Sequence, residues 1–132
     1  MLNIVIDTNV VVSAALSPLG NPAKIIELII NNEEIQVYYC DEIITEYKEV
    51  LSRDYVKITQ ETQNAIITAI IAIGILIAPS RSEDSMLDED DRVFYDTAKT
   101  IGAVLITGNT KHYPAESFIM TPANFLKLIE SK

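Results

Sequence analysis

D-E-D-D-R-V-F-Y-D-T-A-K-T-I-G-A-V-L-I-T-G-N-T-K-H-Y-P, residues Asp88 to Pro114, holds in one run an acidic helix start, a helix, a turn, a strand and a polar strand end. At about 100° per residue, Val93, Phe94, Thr97, Ala98 and Ile101 fall on one face, which predicts a helix over 89–101. Gly102 stops it, and 103–106 is a short apolar strand. The strand ends on Thr107-Gly108-Asn109, with Lys111 and the only histidine, His112, just beyond. A helix turning through one glycine into a buried strand is the repeating unit of a parallel α/β sheet.

The flanking sequence repeats that alternation. Residues 2–6 read as a buried strand ending at Asp7, and Thr8 or Asn9 is expected to cap a helix over about 10–16. Asn21-Pro22 reads as a cap followed by a first helical proline. Residues 36–39 form a second strand, and Asp41 caps a helix carrying Ile43, Ile44, Tyr47, Val50 and Leu51. Thr59 caps the next helix, Gly74 stops it, and 75–78 is a strand. Residues 79–87 are polar and loop-like. A last strand at 117–120 precedes a closing helix that Thr121-Pro122 begins. No linker or internal repeat interrupts this pattern, so 1–132 is expected to be one domain.

The chain has 132 residues, 48% of them hydrophobic, which suffices for a buried core. Leu2 to Ile6 runs straight into Asp7 without the pattern of a secretory signal, and no apolar run reaches the ~20 residues of a membrane span. A cytoplasmic protein without a membrane partner is expected. Cys40 has no second cysteine to bond and reads as a small buried hydrophobe. The formal net charge of −9 argues against unaided nucleic-acid binding, since phosphate contacts need clustered Lys and Arg. The same charge suits a protein whose acids hold cations that then face phosphate, or one with a basic partner.

The acids can be sorted by position. In an open α/β sheet, ligands sit beyond the carboxyl ends of the strands where strand order reverses. Asp7 and Thr107-Gly108-Asn109 end the first and fourth strands, and they line one crevice if those strands are neighbours. Glu46 lies about 40° outside the apolar stripe of its helix, and Asp91 about 20° beyond Ala98. An ordinary border glutamate paired to Lys48, Arg53 or Lys57 would also explain Glu46. Asp96 falls on the opposite border, about 140° from Asp91, too far round the helix to share one ion with it. Asp88, Glu89 and Asp90 suit a cap and a helix dipole. Carboxylates gathered from three segments repel unless a cation lies among them. Hard oxygen donors, without a zinc-spaced His or Cys cluster, select Mg²⁺ or Mn²⁺, whose chemistry suits phosphodiester hydrolysis.

Four pieces in order then complete a pattern: I-V-I-D-T-N-V at 4–10, E-I-I-T-E-Y-K-E-V-L at 42–51, D-E-D-D-R-V-F-Y-D-T-A at 88–98 and L-I-T-G-N-T-K-H-Y-P at 105–114. With them the chain resembles the PIN-domain proteins, particularly the VapC-type ribonuclease toxins. The resemblance implies a PIN-like three-layer α/β/α sandwich with a mainly parallel five-stranded sheet. It implies a Mg²⁺- or Mn²⁺-dependent endoribonuclease acting on RNA, a cognate antitoxin and a homodimer. The family's catalytic and metal-binding acids fall on Asp7, Glu46 and Asp91, and its Asp-Thr-Asn turn on Asp7, Thr8 and Asn9. Asn9, Thr107, Asn109, Lys111 and His112 are auxiliary: Thr107 to hydrogen-bond a ligand carboxylate, Lys111 and His112 to meet phosphate or protonate a leaving oxygen. Asn109 stands where many members carry a fourth acid, which leaves one or two metals open. Tyr113 reads as packing.

Two other readings have sequence arguments. A phosphatase or receiver domain also ends its first strand on aspartate, but the phosphatase needs D-x-D and Asp7 is followed by Thr8-Asn9. The receiver needs an aspartate ending its third strand, where Ala78-Pro79-Ser80 stands. The other is a PIN-like RNA- or protein-binding module with weak or no activity, consistent with Asn109.

Overall fold

The computed structural model describes residues 1–131. β-branched residues without proline make Leu2–Ile6 an extended strand, β1, and Ile4, Val5 and Ile6 are each 0% exposed. A strand buried on both faces belongs at the centre of a parallel sheet. It leads into α1 (Thr8–Leu16) and α2 (Asn21–Asn31), then β2 (Ile35–Tyr39) and α3 (Asp41–Leu51). After α4 (Gln60–Ile73) come β3 (Ile75–Leu76), α5 (Arg92–Ile101), β4 (Val104–Ile106), β5 (Ile119–Met120) and α6 (Pro122–Glu130). Short 3-10 turns form at Asp54–Val56, Glu89–Asp91 and Thr110–His112.

The sheet order is β3-β2-β1-β4-β5, with every pairing parallel. Helices cover both faces, giving the three-layer α/β/α sandwich expected from the sequence. Strand order reverses between β1 and β4, which pair with Ile6 opposite Ile106. The next residues, Asp7 and Thr107, therefore leave the sheet side by side. The assumed adjacency of the first and fourth strands holds.

Several local expectations are corrected. Asp7 occupies the N-cap position of α1, with Thr8 and Asn9 inside the first turn, because their side chains bond across the strand ends instead of capping. Gly20 precedes α2, so Asn21 and Pro22 are its first residues, and Cys40 precedes α3, leaving Asp41 in the first turn. Thr59 and Thr121 do cap, each accepting a bond of 3.2 Å from the backbone N–H three residues on. Asp88 caps the 3-10 turn 89–91 rather than the α-helix, which starts at Arg92. β3, β4 and β5 are shorter than expected, and Asp96 is buried at 4% exposure rather than bordering. No helix among the described residues is long and apolar enough to cross a membrane.

Gly74 is required where α4 turns into β3. A Cβ there would lie 2.6 Å from Cε2 of Tyr39 and 2.7 Å from the Ile70 carbonyl oxygen. Tyr39 is buried and the other contact is backbone, so neither yields cheaply. Gly74→Ala is expected to cost about 1–3 kcal/mol, measured as a lower midpoint in thermal or urea unfolding. An unchanged midpoint would show that Tyr39 moves aside freely.

Candidate active site at the strand ends

Asp7 anchors the site. Parallel pairing of β1 with β4 buries it to 5% exposure, where an ionised carboxylate needs hydrogen bonds. Its Oδ2 accepts from the Thr107 hydroxyl at 2.8 Å, the Tyr113 hydroxyl at 2.8 Å and the Asn9 amide at 3.3 Å. Asn9 also donates to Thr107 Oγ1 at 3.3 Å and accepts from the Gly108 N–H at 2.9 Å. The Asp-Thr-Asn turn and the Thr-Gly-Asn turn are thus laced into one unit, with all three side-chain donors on Oδ2. Among the described residues no side chain donates to Oδ1.

Glu46 approaches from α3, anchored beside the strand end by Tyr47, whose buried hydroxyl donates to the Ile6 carbonyl. Glu46 Oε2 accepts from the Thr8 hydroxyl at 2.5 Å. Arg53 pairs with Glu49 at 3.0 Å, so the border-glutamate pairing considered for Glu46 is not formed with Arg53. Asp91, in the 3-10 turn before α5, keeps Oδ2 buried without a hydrogen-bond partner, 3.8 Å from His112 Nδ1. Asn109, Lys111 and His112 are exposed on the loop after β4, and the Asn109 N–H donates to Thr107 Oγ1 at 3.1 Å.

The three carboxyls share one electrostatic history. Burial raises Asp7 above the ordinary aspartate value, against the Thr107 and Tyr113 bonds that lower it. Burial likewise raises Glu46, opposed by the Thr8 hydroxyl, and Asp7 and Asp90 push it further. Asp91 is pushed up to about 6, first by burial and then by the charge of Asp7. The Tyr113 phenol is raised far above its usual range by burial and by Asp7, so it remains a hydrogen-bond donor. Tyr113 is the member that sequence reasoning assigned to packing. A tyrosine seven residues after a strand end gives no signal of where its hydroxyl points.

Among the described residues no three His, Cys, Asp or Glu side chains already converge as a cation cage. The donor set nevertheless fits a hard divalent ion: oxygens only, an orphaned buried oxygen on Asp91, an Asp7 oxygen clear of side-chain donors, and repulsion that a cation relieves.

Comparison with known proteins follows this geometry. The family described as PIN domain matches residues 3–111. An uncharacterised protein of Methanocaldococcus jannaschii is 32% identical over 111 residues, covering 82% of this chain and 71% of that relative. The crystal structure of VapBC2 from Rickettsia felis bound to a DNA fragment from their promoter superposes with a TM-score of 0.60, over 91% of this chain and 97% of the matched chain. Its identity is 14%, so that likeness concerns the fold.

A raised carboxyl binds its proton more tightly folded than unfolded, so its burden on stability is absent at low pH and appears as pH rises to the folded value. For Asp91 that window runs from its ordinary 3.8 to about 6. In EDTA, Asp91→Asn is expected to gain stability over wild type as pH rises through this window, with a level difference above pH ~7. Thermal midpoints of both proteins across pH check it, and a pH-independent difference would show that Asp91 titrates normally.

Proposed function

The chain belongs to the PIN-domain family, and from that premise we propose that it is a metal-dependent endoribonuclease, the toxin of a toxin–antitoxin pair. In this reading residues 1–132 are one PIN domain acting in the cytoplasm. The observation that carries it is the buried Oδ2 of Asp91, without a hydrogen-bond donor and 3.8 Å from His112 Nδ1, carrying the charge of Asp7 and Glu46 beside it. A structural carboxylate finds a donor, whereas one reserved for a cation does not.

Asp7, Glu46 and Asp91 would hold Mg²⁺ or Mn²⁺. A divalent ion supplies water of lowered pKa and positive charge against a phosphoryl oxygen. Asp7 keeps one oxygen fixed by Thr107, Tyr113 and Asn9, which orients the other toward the crevice. Glu46, steadied by Thr8, orients the attacking water and takes its proton. Lys111 and His112, exposed at the rim, meet RNA phosphate, and His112 delivers a proton to the leaving oxygen. With a net charge of −9, the protein depends on the cation for phosphate attraction. That charge equally suits a basic antitoxin, and the fold neighbour is named as a VapBC pair. A homodimer would bring two such crevices into one particle.

The alternative is a binding module of weak or absent activity. Asn109 at the end of β4 favours it, since its amide brings no charge for a second ion.

Purified wild type and Asp91→Asn, assayed on structured and single-stranded RNAs with Mn²⁺ and with EDTA, separate these readings. Cleavage is expected to require Mn²⁺ and to fall at least about a hundredfold in Asp91→Asn. Equal cleavage by both proteins would overturn the assignment, and no cleavage by either would favour the binding module. Asn109→Asp is expected to bind Mn²⁺ more tightly by calorimetry, because affinity follows ligand charge. Unchanged binding would place residue 109 outside the ion's reach.

A further inference from the structure

The loop that follows β4 is fastened at both ends to one oxygen atom. At its start the Thr107 hydroxyl donates to Asp7 Oδ2 at 2.8 Å, and at its end the Tyr113 hydroxyl donates to the same oxygen at 2.8 Å. Between them residues 108–112 are all exposed, whereas Thr107 and Tyr113 are 0% and 7% exposed. The first half of the loop has further ties: the Gly108 N–H donates to Asn9 Oδ1 at 2.9 Å, and the Asn109 N–H to Thr107 Oγ1 at 3.1 Å. The second half is one 3-10 turn, Thr110–His112. It is closed by the His112 N–H on the Asn109 carbonyl at 3.0 Å and the Tyr113 N–H on the Thr110 carbonyl at 3.2 Å. A single exposed turn of this kind does not fix its own position, so Tyr113, the buried residue that ends it, must do so.

Neither packing nor the needs of Asp7 accounts for the phenol. Phenylalanine would bury the same ring without a polar group that has to find a partner. Asp7 Oδ2 already accepts from Thr107 and Asn9, and one carboxylate oxygen offers about two lone-pair sites. What the third donor alone supplies is a link from the far end of the loop to the carboxylate at the end of β1.

We propose that Tyr113 is a positioning residue, whose hydroxyl sets where Lys111 and His112 stand relative to Asp7 and Asp91. His112 Nδ1 lies 3.8 Å from Asp91 Oδ2, so a shift at the end of the turn carries the imidazole away from the acids. Tyr113 acts through these neighbours and has no contact of its own with phosphate or ion. The task of Lys111 and His112 rests on the nuclease reading, whereas the link itself does not.

The full chain carrying Tyr113→Phe, which keeps the ring and removes only the oxygen, tests this in two arms. In EDTA, NMR order parameters of the 109–112 amides are expected to fall from about 0.85 in wild type to below about 0.6, with 2–7 and 104–107 unchanged. A loop that stays rigid, or a loosening spread through both strands, would overturn the proposal. With Mn²⁺ and single-stranded RNA, KM is expected to rise about tenfold. Mn²⁺ affinity, read by calorimetry, should change less, because Thr107 and Asn9 still hold Oδ2. In the Lys111→Ala/His112→Ala background, Tyr113→Phe should raise KM no further, since groups that act as one unit are non-additive. An equal rise with and without Lys111 and His112 would show that the phenol serves Asp7 alone, and the positioning role would fall. A wild type that cleaves no RNA fails the nuclease reading, while loosening of 109–112 in Tyr113→Phe still upholds the link.

Discussion

The parallel pairing of β1 with β4 forces a carboxylate into a place where water cannot solvate it. Ile6 opposite Ile106 fixes where both strands end, and the following residue on each side is polar. Asp7 then needs donors, and the chain supplies them from two loops: Asn9 from the turn after β1, Thr107 and Tyr113 from the segment after β4. These bonds hold the loops as much as they satisfy the carboxyl. Without Asp7, Thr107 and Tyr113 would lose their shared acceptor, and the side-chain links between the two turns would reduce to those of Asn9 with Thr107 and Gly108.

The charge at Asp7 then governs its neighbours. It raises Asp91, Glu46 and Tyr113, each already burdened by partial burial. The fold concentrates negative charge at one strand-end crevice and compensates it with hydroxyls and an amide rather than with cations. Neutral donors lower a carboxylate's energy without cancelling its field. The field stays available to whatever cation enters.

Much of this was legible in the sequence because it rests on periodicity and on strand ends. The alternation of strands and helices and the half-buried positions of Glu46 and Asp91 follow from pleat and pitch, whereas the Asp7–Thr107 adjacency was an assumption that the β1–β4 pairing bears out. What escaped depends on where side chains turn. Thr8 and Asn9 have the composition of caps, yet tertiary partners engage them instead: the Thr8 hydroxyl donates to Glu46, and the Asn9 oxygen accepts from the Gly108 N–H. Tyr113 has the apolar body that packing needs, and its hydroxyl partner lies 106 residues away in the chain. Asp96 sits on the helical wheel as a border residue. The loop at 79–87, which carries no periodic signal, lies near it and leaves Asp96 buried.

The treatment of charge elsewhere in the molecule shows that the orphaned acids are not an accident of a poorly satisfied core. Arg92 is as buried as Asp7, and it is fully employed: a forked pair with Glu89, the Ser82 hydroxyl and two backbone carbonyls. Asp84 ties Lys99 and Tyr95 to the same loop. Where a buried charge serves structure, this chain surrounds it with opposite charge and donors. On either side of the same helix, Asp91 and Asp96 each keep a buried oxygen with no hydrogen-bond partner. A domain stable by only about 5–15 kcal/mol tolerates two such groups poorly. Replacement by asparagine or an apolar residue would relieve both, as stabilising substitutions commonly do at strained functional positions. At Asp96 the buried Arg92 guanidinium on the same helix supplies part of the missing positive charge, whereas Asp91 carries the added repulsion of Asp7, Asp88 and Glu46, which a cation among those acids would relieve.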